Sequence, residues 1–294
     1  MNLRTIGVLG CGQMGGGIAQ VSAMAGFDVI ARDLNAGLLA AGRSAISKSL
    51  DKLVEKGKLE ASARDAALGH IQLTTALGEL SRCDLVIEAV SEDLELKNGL
   101  WRELDALCPP ETVFASNTSS LSIMAMARVT GRPDRFLGLH FFNPVPLMPL
   151  VEVVRSVATS DATLDTATDF VRKLGKQAIL ARDSAGFIVN LLLIPYLLDA
   201  VRAVERGVAS IRDIDAGMQL GCGHPMGPLK LLDFVGLDTS LKVGEILYEE
   251  FREARYAPPP LLKRLVLAGW YGKKSGKGFY DYSGSVPVPS ELGL

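Results

Sequence analysis

The hexapeptide Gly10-Cys11-Gly12-Gln13-Met14-Gly15 closes one apolar run, Thr5–Leu9, and opens a helical one. That placement constrains the fold more than any other feature of the chain. Glycines at these positions allow a tight turn and let a pyrophosphate approach main-chain N–H groups at a helix N-terminus. Gly10, Gly12, Gln13, Met14 and Gly15 are therefore expected to line a dinucleotide site. A second apolar run, 28–31, leads to Asp33, about 20 residues on from the turn. From there a carboxylate accepts hydrogen bonds from the adenosine ribose hydroxyls and repels a 2′-phosphate. NAD is the expected cofactor, and the adjacent Arg32 is the feature that speaks for NADP.

The first half continues to alternate apolar runs with helical patterns: a helix over 36–55, strands over 84–90, 113–115 and 135–142, and a helix over 94–107. Continuous rather than alternating apolarity implies parallel strands covered on both faces. After Asp183 the pattern changes, and 186–206, 211–220, 230–249 and 260–268 all read as helices without a strand among them. Pro195 should kink the first by removing the bond to the Leu191 carbonyl. The expected architecture is α/β: a Rossmann-like doubly wound sheet domain over 1–183, then an all-helical domain over 184–294.

A net charge of −2 and the lack of a basic stripe with interleaved aromatics leave nucleic-acid binding without an electrostatic footprint. The four cysteines are scattered, with no C-x-x-C pair, so neither zinc nor a disulfide framework is implied and no metal is expected. The longest apolar run, 191–198, contains a proline and is too short to span a bilayer. A cytoplasmic protein without membrane association is the expectation.

Among the three histidines, His140 stands out. It lies in the strand Phe136-Leu137-Gly138-Leu139-His140-Phe141-Phe142, where a polar side chain needs a partner. If the chain folds back about Pro146, residue 140 faces residue 152, because paired positions across a hairpin have a constant sum. Glu152 interrupts Leu150-Val151-Glu152-Val153-Val154 in the same way. Such a pair is either an ordinary buried ion pair or a general base with its orienting carboxylate.

The segments Val86-Ile87-Glu88-Ala89-Val90, Ser116-Asn117-Thr118-Ser119-Ser120, Gly138-Leu139-His140-Phe141-Phe142-Asn143-Pro144 and Gly186-Phe187-Ile188-Val189-Asn190 follow the glycine motif in order. With it, over most of its length, the chain resembles the 3-hydroxyacyl-CoA dehydrogenases, of the 3-hydroxybutyryl-CoA dehydrogenase type. The resemblance implies an NAD-dependent interconversion of short 3-hydroxyacyl-CoA and 3-oxoacyl-CoA, as in fatty-acid and butanoate metabolism, by a homodimer joined through its helical domain. It makes His140 the base and Glu152 its orienting carboxylate, with Ser119 and Asn190 around substrate and nicotinamide. Glu92, Lys97, Ser119, Asn143 and Lys274 become further cofactor contacts, and Ser49 and Lys56 contacts to CoA.

Simpler readings stand beside these. Lys48, Lys52 and Lys56 recur every four residues and would also suit the solvated face of a helix. Ser119 would also serve as the cap of a helix starting near Leu121. Leu191 replaces an arginine common in the family, and Ala185 a proline. The competing function is a non-catalytic NAD-binding protein that keeps the fold.

Overall fold

A computed structural model describes residues 3–293 and resolves the chain into two compact units, one ending at Phe187 and the other starting at Ile188. In the first unit, β1 (Thr5–Leu9) turns into α1 (Gln13–Met24), followed by β2 (Asp28–Arg32), α2 (Ala36–Glu55), α3 (Ala61–Gly69) and β3 (Ile71–Thr74). Then come β4 (Leu85–Glu88), α4 (Leu94–Leu107), β5 (Val113–Ser116), α5 (Ile123–Ala127), β6 (Phe136–Phe141), β7 (Leu150–Arg155), α6 (Asp161–Lys173) and β8 (Gln177–Arg182). The strands form one sheet in the order β3-β2-β1-β4-β5-β6-β7-β8.

The first six strands are parallel and follow the order of dinucleotide-binding sheets, with the direction of winding reversing between β1 and β4. β7 runs antiparallel to β6, and β8 parallel to β7. The central strands are buried throughout because apolar cores cover both faces. Ile6, Val8, Ile18, Leu50 and Phe170 pack on one side, and Leu9, Val86, Trp101, Phe114 and Phe136 on the other. In the second core the Trp101 ring lies 5.0 Å from Phe114 and 4.8 Å from Phe136, distances at which ring contacts add to area burial.

Helix starts follow local chemistry. Asn35, Asp93, Ser122 and Ser160 cap α2, α4, α5 and α6 by accepting main-chain N–H bonds. The helix after the serine-rich segment thus begins at Ile123 under Ser122, and Ser119 is not its cap. Asp183 adds a second cap to α5, accepting from the amides of Ile123 (2.8 Å) and Met124 (2.7 Å).

The second unit contains α7 (Val189–Glu205), α8 (Ile211–Cys222), α9 (Pro228–Val235), α10 (Leu237–Phe251) and α11 (Pro260–Leu267). Two expectations are corrected here. The single helix expected over 230–249 is two, because Gly236 adopts φ 106°, outside the range of a helix. The unit also contains a short antiparallel pair, β9 (Tyr280–Asp281) with β10 (Val288–Pro289). Buried carboxylates anchor it: Asp233 accepts from the amides of Phe279 and Tyr280, both at 2.8 Å. Asp215 caps α9 through Leu229 N (2.8 Å) and holds the Tyr280 hydroxyl at 2.7 Å. Among the described residues, no helix is long and apolar enough to cross a membrane.

Candidate active site

The glycine turn is shaped by close approach. Gly10 has φ 99°, and a Cβ there would lie 2.7 Å from the carbonyl oxygen of Ala89; one on Gly15 would lie 1.8 Å from that of Gly10. At Gly12 nothing lies within 4 Å of the Cβ position. Two glycines thus close the turn onto the sheet while the third leaves its outer side open, as a pyrophosphate at the α1 N-terminus requires.

Asp33 is held at this turn, one carboxylate oxygen accepting from Cys11 N and the other from Leu34 N, both at 2.7 Å. Arg32 turns its guanidinium to the Thr75 carbonyl at 3.3 Å. Burial, followed by the charge of Asp33, pushes the Cys11 thiol up to about 12, so it stays protonated at neutral pH and is no nucleophile.

A cavity of about 490 Å³ runs from this turn between α1, α2 and the β6–β7 loop, lined by Gly12, Gln13, Asp33, Ser49 and Asn143 among others. Its loop wall is firmly placed. Lys176 Nζ donates to the carbonyls of Val145 and Met148, both at 2.6 Å, and Gly17 of α1 comes so close that a Cβ would lie 2.7 Å from Val145. Met14, by contrast, packs partly buried against the core, and Lys56 is exposed beyond the end of α2.

At the end of β6 the antiparallel register sets His140 opposite Glu152, the pairing that a fold about Pro146 implies. Nδ1 of His140 lies 2.6 Å from Glu152 Oε2, and the two residues are only 5% and 0% exposed. The rings of Phe142 and Phe187 stand 4.5 and 5.6 Å from the imidazole. With Nδ1 donating to the carboxylate, Nε2 is the nitrogen left to exchange a proton with a substrate.

The loop after β5 joins this arrangement. Asn117 accepts from Phe141 N at 3.0 Å, tying the loop to the residue after His140. Ser119 N donates to Glu92 Oε1 at 3.1 Å, and Thr118 donates its hydroxyl to the same oxygen. Burial raises the Glu92 carboxyl, but the Lys97 charge and the hydrogen bonds from Thr118 and Ser119 outweigh it, and the group lies below its usual range.

Lys97, expected as a cofactor contact, is engaged by two carboxylates. Its side chain is 1% exposed, and Nζ is enclosed between Glu88 Oε1 (2.8 Å) and Glu92 Oε2 (2.9 Å). Neither Asn117 nor Glu88 was among the expected site residues. A glutamate at the end of a wholly apolar strand is the signal that marks Glu88.

Asn190 and Lys274 belong to the second unit, Asn190 in the first turn of α7 and Lys274 paired with Asp238 at 2.6 Å. The other histidines are accounted for locally, His70 by Asp28 at 2.9 Å and His224 by the Tyr196 hydroxyl at 3.1 Å. Among the described residues no cluster of His, Cys, Asp or Glu has the makings of a metal site.

Comparison with known proteins agrees with a dehydrogenase built on a dinucleotide-binding sheet. Residues 5–184 match the family "3-hydroxyacyl-CoA dehydrogenase, NAD binding domain", and residues 186–282 match "3-hydroxyacyl-CoA dehydrogenase, C-terminal domain". A 3-hydroxybutyryl-CoA dehydrogenase of Mycobacterium tuberculosis is 50% identical over 95% of this chain and 99% of its own length. One of Bradyrhizobium diazoefficiens is 47% identical over 98% of each chain. Among solved structures, the (S)-3-hydroxybutyryl-CoA dehydrogenase PaaH1 of Ralstonia eutropha superposes with a TM-score of 0.93 at 43% identity, covering 96% of this chain and 100% of that one. The chain belongs to the 3-hydroxyacyl-CoA dehydrogenase family. It is an oxidoreductase, and its cofactor is NAD.

Proposed function

We propose that the protein interconverts short 3-hydroxyacyl-CoA and 3-oxoacyl-CoA thioesters such as 3-hydroxybutyryl-CoA and acetoacetyl-CoA, with His140 as the acid–base group and Glu152 as its orienting carboxylate. The observation that carries this reading is the buried 2.6 Å bond between His140 Nδ1 and Glu152 Oε2 at the end of a strand of the NAD-binding unit. In oxidation, Nε2 of His140 takes the proton of the 3-hydroxyl, and Glu152 stabilises the imidazolium. In reduction, His140 returns the proton to the nascent alkoxide. Gly10, Gly12, Gln13, Met14 and Gly15 would hold NAD through the main chain of the turn, with Asp33 toward the ribose, and the bound cofactor would supply the hydride acceptor. Glu92, Ser119 and Asn143 border it from the loops.

Ser49, in the cavity wall, and Lys56, exposed beyond the same helix, suit the CoA moiety. Ser119 and Asn190 serve the acyl end, and Lys274 is a further cofactor group. The functional boundary is placed at 183/184, after the last strand of the sheet and a few residues before the division of the two compact units at 187/188. Oxidation of NADH on addition of acetoacetyl-CoA is the expected result. Wild-type protein that binds NADH but leaves it unoxidised would instead favour a non-catalytic NAD-binding role.

Asp33 makes NADH the preferred cofactor, since its fixed carboxylate repels a 2′-phosphate. Asp33→Ser should narrow the ratio of NADH to NADPH rates; an unchanged ratio would remove Asp33 from that role. The helical unit also exposes Leu192, Val208, Phe234 and Leu267, large apolar side chains of the kind that a partner surface covers. A homodimer through this unit is expected, and light scattering at micromolar concentration should give about twice the 31.4 kDa chain mass. A particle of single-chain mass would refute it. The protein is assigned to the cytoplasm.

A further inference from the structure

We propose that Glu88 is a positioning residue for the reaction, acting through Lys97 and Glu92 on the main chain at Ser119. Glu88 ends β4 and is 0% exposed. One of its oxygens accepts from Lys97 Nζ and from Val90 N, both at 2.8 Å, and the other accepts from the Ser116 hydroxyl at 2.6 Å. It therefore grips the ends of two adjacent strands and the ammonium between them.

Lys97, one turn into α4, passes that grip to Glu92 at 2.9 Å, and Glu92 binds the amide of Ser119 at 3.1 Å. Two carboxylates share one ammonium, a formal net charge of −1, with the side chains of Glu88 and Lys97 at 0% and 1% exposure and that of Glu92 at 22%. Each ion there is held mainly by its partners and loses its position when one of them is neutralised. A glutamate whose only task was to fill the core would cost desolvation that an apolar residue avoids. The charge earns its place by fixing a loop at the C-terminal ends of the strands, where ligands bind in open α/β sheets.

This inference rests on Ser119 being a substrate group, and the experiment separates the two. Glu88→Gln, Ser119→Ala and their combination are compared for kcat and KM with acetoacetyl-CoA and NADH, with circular dichroism as a control. Glu88→Gln keeps the side-chain shape and removes the charge. It should lower kcat by about 10- to 100-fold, the scale of a small misplacement of reacting groups. In the Ser119→Ala background the same change should cost less than about twofold, because groups acting through one another are not additive.

Losses that multiply would show that Glu88 acts independently of Ser119 and overturn the proposal. Wild-type turnover in Glu88→Gln would do the same. Wild-type turnover in Ser119→Ala would remove the reading of Ser119 and the inference with it. Should Glu88→Gln fail to fold, Glu88→Gln combined with Lys97→Met keeps the net charge of the cluster and is read in its place.

Discussion

His140→Gln is expected to lower kcat by ~10²–10⁴ and to leave NADH affinity within a few-fold of wild type. The size follows from the role. A proton must leave the 3-hydroxyl as hydride leaves the same carbon, and a glutamine cannot take it. The near-constant NADH affinity follows from position: the glycine turn and Asp33 lie at the ends of β1 and β2, whereas His140 lies on β6. Stability should change little, because a glutamine can keep a hydrogen bond to Glu152 and so avoid leaving that carboxylate buried without a donor. Turnover above about a tenth of wild type would mean that general-base catalysis of the expected size is absent.

Gly15→Ala should cost the other large fraction of function, through the cofactor. A Cβ at this position would lie 1.8 Å from the Gly10 carbonyl oxygen and 2.9 Å from its carbon. Backbone cannot yield as the tip of a side chain can, so either α1 is pushed off the turn or the turn itself opens. In both cases the main-chain N–H groups no longer converge on the pyrophosphate, and NADH affinity should fall by at least about tenfold, equivalent to ~1.4 kcal/mol. Fluorescence titration with NADH measures this. Gly12→Ala is the contrast, since the free chain has room for its Cβ; any loss of affinity there must come from the approach of the ligand itself. Unchanged NADH binding in Gly15→Ala would show that the close approach can relax.

The parallel sheet was legible because its strands are apolar on both faces, and the glycine turn because its context of strand, helix and terminal acid is specific. His140 and Glu152 were legible for a different reason. Each interrupts an apolar strand, and hairpin geometry puts them at one level. Elements with weaker patterns were harder to find. α3 buries little beyond Ala67, and β8 is largely exposed along its length, so neither has a strong periodicity.

α6 carries a clear signal, with Leu164, Ala167, Phe170 and Val171 on its buried face and Ser160 as its cap, yet it lay between more conspicuous motifs. The break at Gly236 was hidden because Leu231, Leu232, Phe234, Val235 and Leu237 run across it at helical density, with Asp233 the one charged residue among them. The enclosure of Lys97 depends on three segments meeting, β4, the loop carrying Glu92 and α4, which spacing along the chain does not reveal.

The central claim is that His140 and Glu152 work as one acid–base unit in a dehydrogenase of acyl-CoA substrates. It is tested most directly by kcat for acetoacetyl-CoA reduction in His140→Gln, Glu152→Gln and the double variant, each checked for NADH binding. Glu152→Gln should lose ~10²–10⁴, because an amide keeps a hydrogen bond to the ring but cannot balance the imidazolium. The double variant should then be little worse than the poorer single one, since a unit already disabled has little more to lose. Losses that multiply in the double variant, or a Glu152→Gln enzyme with nearly full turnover, would contradict the account.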